Sequence, residues 1–424
     1  MPSLKRATAV YITAAALTAA VPFAVLPWLT RWLGPAGFGV VGSYLALVNL
    51  VTVLVGLNVQ GVISVVHFKQ DPQDVPGHLR TALRLMWLTG LPLLALLLLA
   101  APWLANWTAV PAPWLWTVVV VAMAQFVVAL GLAVFQTREQ PLKYGAIQVG
   151  LALGWGLLTL VLVGAVGLAW EGRALAQLLA ALLAAGGVLI LLSRQGLLSV
   201  ERGCAPMKKL LAFGLPLVPH SLAGAVLAGA DRLVLTGLGG AQAAGHYFAA
   251  FQVAAVLSAG AAALSQAWVP WLYRRLASGQ PPDRLEVVRA TYGVFALLLS
   301  GGLLLAWAGP VLLPWLAGPR FETAGPLLWW LAPAAAFSGM YYFVTNYLFY
   351  AERAGVLSII TVICAVLQLA LMAWSIPRWG AAGAAASVCI TAALHTLATW
   401  VAAQRAWPMP WALWLHSKDG QRGS

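Results

Sequence analysis

A succession of apolar segments, each about twenty residues long and separated by short polar stretches, limits what this chain can fold into more than any other feature. A helix of roughly 20 residues crosses a hydrocarbon core about 30 Å thick, whereas β-barrel spans are shorter and alternate polar with apolar side chains. No such alternation is present, so the sequence predicts an all-α, polytopic membrane protein. Composition agrees: 62% of the residues are hydrophobic and 8% are charged, where soluble domains carry about 25% charge.

Twelve spans are predicted, in two groups of six. The first group covers residues 7–28, 38–66, 85–104, 114–135, 144–168 and 174–192, and the second covers 210–235, 245–271, 290–313, 325–350, 354–376 and 381–403. A basic stretch with Arg202, Lys208 and Lys209 separates them near mid-chain. The expected organisation is therefore a six-helix lobe over residues 1–200, a linker over 201–209, a second six-helix lobe over 210–403 and a tail over 404–424. Pro216 and Pro219 punctuate the start of the seventh span.

Charge tests this count independently of hydropathy. If the N-terminus is cytoplasmic, 19 of the 24 Lys and Arg residues fall on that side, and Arg31, Arg173, Arg232, Arg320 and Arg378 fall on the other. One span more or fewer in mid-chain would invert every later loop and spoil the separation. The formal charge of +13 is thus a topology signal; a nucleic-acid surface would need a basic patch on a soluble fold. Lys5 and Arg6 precede an apolar run in the manner of a signal peptide, but that run continues past Pro22 and Pro27 to Trp28 and more spans follow, so a retained first span is expected. Cys204, Cys364 and Cys389 show no paired spacing, and no metal or cofactor is predicted. The outer segments are short, and the stretch Ala101 to Trp114 carries no charge.

The halves echo one another. LGPAGFG, from Leu33, and LGGAQAAG, from Leu238, each read Leu-Gly-x-Ala and lead into a glycine, Gly39 or Gly245, that opens the next span; they differ by one residue in length. Each joins the first two spans of its group, as in parallel repeats about an axis along the membrane normal.

The turn LGPAGFG into a span with Tyr44, the hinge into FGLPLVPHSL, the ADRLVL pair, the run GHYFAAFQVA, the loop WLAGPRFETAGPLL and the late WGAAGAAAS occur in an order that resembles the bacterial Wzx-type polysaccharide-repeat flippases of the multidrug/oligosaccharidyl-lipid/polysaccharide exporter superfamily. The resemblance spans nearly the whole chain. It implies a V-shaped pair of six-helix lobes in the bacterial inner membrane, with both termini cytoplasmic, moving undecaprenyl-pyrophosphate-linked oligosaccharides, such as O-antigen units for lipopolysaccharide, to the outer leaflet. The partners implied are that lipid-linked substrate, membrane lipids and polysaccharide assembly proteins, with no nucleic acid.

Such a cargo requires polar and cationic side chains facing a cavity, because a charge facing lipid is costly. Asn49 and Gln60, and likewise Gln125 and Gln136, lie eleven residues apart, near three helical turns, so each pair is expected on one face; Asn58 stands beside the first pair. Interhelical hydrogen bonding uses the same residue types and is the plainer reading of any single amide. Arginine suits a pyrophosphate because its planar fork pairs with phosphate oxygens. Arg274 and Arg275, with Arg80 and Arg84, are candidates for a cationic collar at the cytoplasmic mouth, although topology alone also places arginines there. Arg31 and Arg232 stand against the charge bias. Asp231 is the one acidic residue expected inside a span, as a cation or proton site or as a structural partner, and neighbours on a helix do not face each other, so it and Arg232 are expected to pair elsewhere. His220 follows Pro219 in a loosened helix whose freed carbonyls suit a cavity wall.

Two alternatives remain. A cation-coupled small-molecule exporter of the same superfamily would be expected to bury carboxylates in the first six spans, and none of those spans contains Asp or Glu. A membrane polysaccharide polymerase or ligase would need a cluster of acid, base or cationic groups outside, which the short outer segments do not supply, and no catalytic motif is present, so no enzymatic role is predicted.

Overall fold

The computed structural model describes residues 4–69, 72–199, 203–278 and 280–411. Within them the chain is helical almost throughout, with no strand. The α-helices are α1 (Leu4–Gly56), α2 (Val62–Lys69), α3 (Val75–Leu99), α4 (Ala101–Thr108), α5 (Leu115–Thr137), α6 (Pro141–Thr159), α7 (Trp170–Arg194), α8 (Met207–Gly214), α9 (Val218–Ser278), α10 (Pro281–Ala317), α11 (Leu328–Tyr350) and α12 (Ala354–Ala406). Hydrocarbon offers a backbone no water to bond, so a chain this apolar satisfies its N–H and C=O groups within each helix. Asp71, Glu201, Arg202 and the tail residues from 412 onward, including Lys418 and Arg422, lie outside the described residues.

Nine helical stretches among the described residues are long and apolar enough to cross a membrane. Three of them contain a break: the backbone leaves helical geometry at Gly34 in α1, Gly240 in α9 and Gly380 in α12. Each break falls in a gap between spans that the sequence predicts. A positive φ is open to glycine without the Cβ clash other residues meet, and Gly34 (φ 64, ψ 178) and Gly240 (φ 84, ψ 163) adopt nearly the same conformation. Pro22 and Pro27, by contrast, are accommodated inside α1 without such a break.

The repeat has a different register from the one read in sequence. Gly240, not Gly239, matches Gly34, and the pairs 34 and 240, 35 and 241, and 39 and 245 all lie 206 positions apart, with no length difference. These residues meet face to face. A Cβ on Gly39 would lie 1.9 Å from the Ala241 carbonyl oxygen, and one on Gly245 would lie 1.7 Å from that of Pro35. Only a residue without a Cβ lets the two backbones approach so closely, and the reciprocity is that of a two-fold axis through the joint. Around it, Phe38 stacks on Phe248 at 4.9 Å, Gly42 faces the Phe248 ring, and the Ser43 and Thr236 hydroxyls share a hydrogen bond of 2.7 Å. No other pair of helices packs as extensively as α1 and α9.

Contacts sort the connections into two ends. At the junction end, Arg31 of α1 donates to the Trp315 carbonyl (3.0 Å), His246 bonds the Arg320 carbonyl (3.1 Å), and Trp107 of α4 lies over Gly237. The stretch Ala101 to Trp114 is therefore not a free loop: its helix spans the two halves of the chain. At the opposite end, Arg80 donates to the Gly203 carbonyl, the Ala205 N–H bonds the Gly77 carbonyl, and Arg138 and Gln140 meet Gln195. Tyr273 packs on Tyr350 there, and Tyr350 on Trp407.

Candidate functional site

Below the junction the helices carry polar groups that the core does not cover. Ala46 of α1 still lies against Gly229 of α9, at 3.6 Å from a Cβ placed there, but Asn49, three residues further on, is exposed in the middle of an apolar helix. One turn beyond, the Thr52 hydroxyl donates to the Val48 carbonyl (2.7 Å) and to Gln125 Oε1 of α5 (3.3 Å). Gln136 is exposed three turns along the same uninterrupted helix. Asn49, Thr52 and the Gln125–Gln136 face thus occupy adjoining parts of α1 and α5.

The expected pairing of Asn49 with Gln60 fails. Helix α1 ends at Gly56, and Leu57 and Asn58 are left-handed (φ 44 and 57), so Gln60 starts from a new direction in a 3₁₀ turn. Asparagine tolerates that conformation better than most side chains. Asn58 Nδ2 is buried without a partner among the described residues. His220 likewise has a buried, unpartnered Nδ1, and it lies in the first turn of α9, after a 3₁₀ turn that contains Pro216.

The second half supplies the buried charge expected at Asp231, and Arg232, which the charge count sets on the outer side, is buried with it. Asp231 is fully buried; Tyr247 donates its hydroxyl to Oδ2 at 2.6 Å and the Arg232 backbone N–H donates to Oδ1 at 2.9 Å. The Arg232 guanidinium lies over the rings of Phe251 (4.2 Å) and Phe248 (4.7 Å), the latter in the junction itself. Its Nε is buried without a hydrogen bond and stands 3.9 Å from Asp231 Oδ1, so the adjacent pair does interact, but loosely. The cation–π contacts and the proximity of a carboxylate compensate a charge that would otherwise be very costly to bury.

Arg173 departs from expectation. The charge count places it in an outer loop, yet it is buried in α7, where it donates to Gln177 Oε1 (3.0 Å) and covers the Trp155 ring at 4.2 Å. The sequence holds a local sign of this in the four-residue spacing of Arg173 and Gln177, which puts both on one helical face. Tyr247 and Trp107 also escape the sequence reading, because their partners lie 16 and 130 positions away and no local pattern marks them.

The remaining arginines are engaged at the two ends. Arg31 is exposed, bonds the Pro27 and Trp315 carbonyls, and rests its stem on Gly318, so it ties the end of one helix to the end of another. Arg275 pairs with Asp283 and Glu286. Arg274 is exposed and, among the described residues, bonds only the Pro270 carbonyl of its own helix (3.2 Å). Arg80 donates to the Gly203 carbonyl, which fixes its position without neutralising its charge; of the four arginines of the expected collar, Arg275 alone is paired with carboxylates among the described residues.

Known proteins bear on this arrangement in three ways. The family described as polysaccharide biosynthesis protein matches residues 4–275. A Haemophilus influenzae protein named for the Lsg locus is 23% identical over 376 residues, covering 85% of this chain and 88% of its own. Among solved structures, an inward-facing multidrug resistance MATE family transporter of the MOP superfamily superimposes with a TM-score of 0.74 at 14% identity, over 93% of this chain and 94% of that one. The lipid II flippase MurJ, in an inward closed conformation, gives a TM-score of 0.62 at 11% identity, over 91% and 87%. At such identities the likeness is one of fold: this is a multi-pass membrane protein with the MATE-like exporter architecture.

Proposed function

The chain belongs to the polysaccharide biosynthesis protein family, and from that premise we propose that it flips a lipid-linked oligosaccharide, carried on a polyprenyl pyrophosphate, from the cytoplasmic to the outer leaflet of a bacterial inner membrane. The observation that carries this reading is Asn49: an exposed amide in mid-span, three residues beyond the contact of Ala46 with Gly229, with Thr52 and Gln125 beside it. Amides and hydroxyls bond a neutral, many-hydroxyl cargo without demanding a counter-charge. The polyprenyl tail remains in hydrocarbon, where the exposed apolar faces of the helices already lie.

In this reading each of the three glycine breaks joins two crossings, giving twelve spans in two six-helix lobes with both termini cytoplasmic. The junction end is then the outer end, closed here, and the cleft opens inward. Arg232 sits at the boundary between cleft and junction, shielded by Phe248 and Phe251; parting the lobes there would uncover its fork to a phosphate. Against the rival reading, a cation-coupled exporter, stands the state of its best site: Asp231 is fully buried, accepts two hydrogen bonds and already has the Arg232 guanidinium beside it.

Purified protein in liposomes is expected to translocate a polyprenyl-pyrophosphate oligosaccharide while releasing no free polyprenyl pyrophosphate. Hydrolysis or glycosyl transfer by the pure protein would contradict transport as its activity. Export of a small organic cation without movement of the sugar lipid would assign it to the rival class.

A further inference from the structure

On the face of α12 away from the junction partners lies an apolar groove with cations at one end. It has a volume of ≈ 690 Å³ and is lined by Val356, Ile360, Ile363, Leu394, Leu397 and Val401 among others, with Arg353 and Arg405 at its mouth. The two arms of α12, before and after the Gly380 break, form its walls. Ile363, Leu397 and Val401 are 60%, 55% and 45% exposed, so this is a surface open to the surrounding membrane rather than part of the core.

Both arginines are exposed, and neither guanidinium makes a hydrogen bond or ion pair among the described residues. The nearest carboxylate in sequence is Glu352, also exposed, in the turn that Arg353 closes. Arg353 precedes the first residue of α12 and Arg405 is its penultimate residue, so both guanidinia stand where the helix meets the headgroups. From Arg353 to Leu367 the groove follows 14 residues, about 21 Å of helix. That exceeds the depth of one leaflet, roughly 15 Å if the hydrocarbon core is about 30 Å. Its dimensions and polarity therefore match one lipid of one leaflet: chains along the groove, an anionic head between two cations.

We propose that this groove is a binding site for an anionic phospholipid of the bilayer, held by Arg353 and Arg405. Basic pockets at the ends of membrane helices bind anionic headgroups, and each arginine near the surface adds roughly a fivefold preference for them. The site is separate from the cleft of α1 and α5 and does not depend on the flippase reading; the topology proposed above would set it in the cytoplasmic leaflet, and that point alone rests on it.

The test is native mass spectrometry of the full chain released from nanodiscs containing equal amounts of phosphatidylglycerol and phosphatidylethanolamine. The natural protein is expected to retain phosphatidylglycerol in preference to phosphatidylethanolamine. The Arg353→Gln/Arg405→Gln variant should lose that preference by roughly 30-fold, at about fivefold per arginine. Arg422→Gln should retain it, and Val401→Trp, which fills the groove without altering charge, should weaken retention of both lipids. A thermal unfolding curve on each variant establishes that it is folded. Equal retention of phosphatidylglycerol by the natural protein and the double variant would overturn the proposal, as would an equal loss in Arg422→Gln. Arginine-dependent displacement of the phospholipid by a polyprenyl phosphate would give the groove to the carrier lipid instead, and would equally overturn it.

Discussion

Nine and eight residues before its glycine break the first half of the chain carries Val25 and Leu26; at the same distances before Gly240 the second half carries Asp231 and Arg232. All four side chains are buried. The backbone of the joint is thus repeated, down to the reciprocal contacts of Gly39 and Gly245, while its electrostatics are not. Rocking two lobes about a shared contact needs matched backbones, which symmetry provides. The cargo proposed above, with a charged head on one side and a tail on the other, is itself unsymmetrical, and under that proposal the half that carries Asp231, Arg232 and Tyr247 would be the one to tell its parts apart.

The sharpest way to break this comparison is to unbalance the charged pair. Asp231→Ala would strand the buried Arg232 and the Tyr247 hydroxyl, and should destabilise the protein by about 3 kcal/mol or more in thermal or denaturant unfolding. Asp231→Val/Arg232→Leu, which copies the first half into the second, should recover the part lost to the stranded Arg232, since apolar residues often replace a buried ion pair at little cost, and leave about 1–3 kcal/mol for the unpaired Tyr247 hydroxyl. Transport by that variant should still fall at least tenfold; normal transport would show that the charges serve only packing.

The symmetry itself is tested at the glycines. Gly39→Ala and Gly245→Ala each place a methyl group against an unyielding carbonyl and should disfavour the closed junction by about 1–3 kcal/mol. Because the contacts are reciprocal, the two effects should agree within a factor of about two to three, read as the labelling rate of a cysteine placed at Ser43. A large effect at one glycine and none at the other would mean that the joint is not two-fold.

Smaller effects are expected where the copies differ at their rims. Arg31 corresponds to Gly237, which Trp107 covers instead. Arg31→Ala removes one hydrogen bond between the halves, worth about 1 kcal/mol, and should slow transport severalfold, whereas Arg422→Ala should leave it unchanged. Equal effects would remove Arg31 from the closing contacts. Thr52→Val should cost least, under about 1 kcal/mol, seen as weaker binding of the sugar with unchanged stability.

Much of this architecture was legible because bilayer physics acts locally. Hydropathy and the placement of arginines anticipated the breaks at Gly34, Gly240 and Gly380, where the helix axis turns without the chain becoming polar, but not those after Gly56 and Gly214, which fall inside predicted spans. The echo around Gly39 and Gly245 was readable too, though its register slipped by one residue because Gly239 and Gly240 are adjacent and composition cannot say which one turns. What could not be read was tertiary: that the two echoes touch each other, that Trp107 folds over Gly237, and that Arg173 is drawn inside by Trp155 and Gln177. Asn49 and Gln60 illustrate the limit from the other side, since an eleven-residue spacing aligns side chains only along an unbroken helix, and left-handed Leu57 and Asn58 break it.

Ser43→Cys/Thr236→Cys, made in a background with Cys204, Cys364 and Cys389 replaced by serine, tests the central claim most directly. The natural hydroxyls lie 2.7 Å apart across the junction, close enough for the two sulfurs to bond. Translocation of the sugar lipid in liposomes should stop when this pair is oxidised and return when it is reduced. Transport that continues at full rate through the oxidised protein would show that the cargo crosses without the halves parting there.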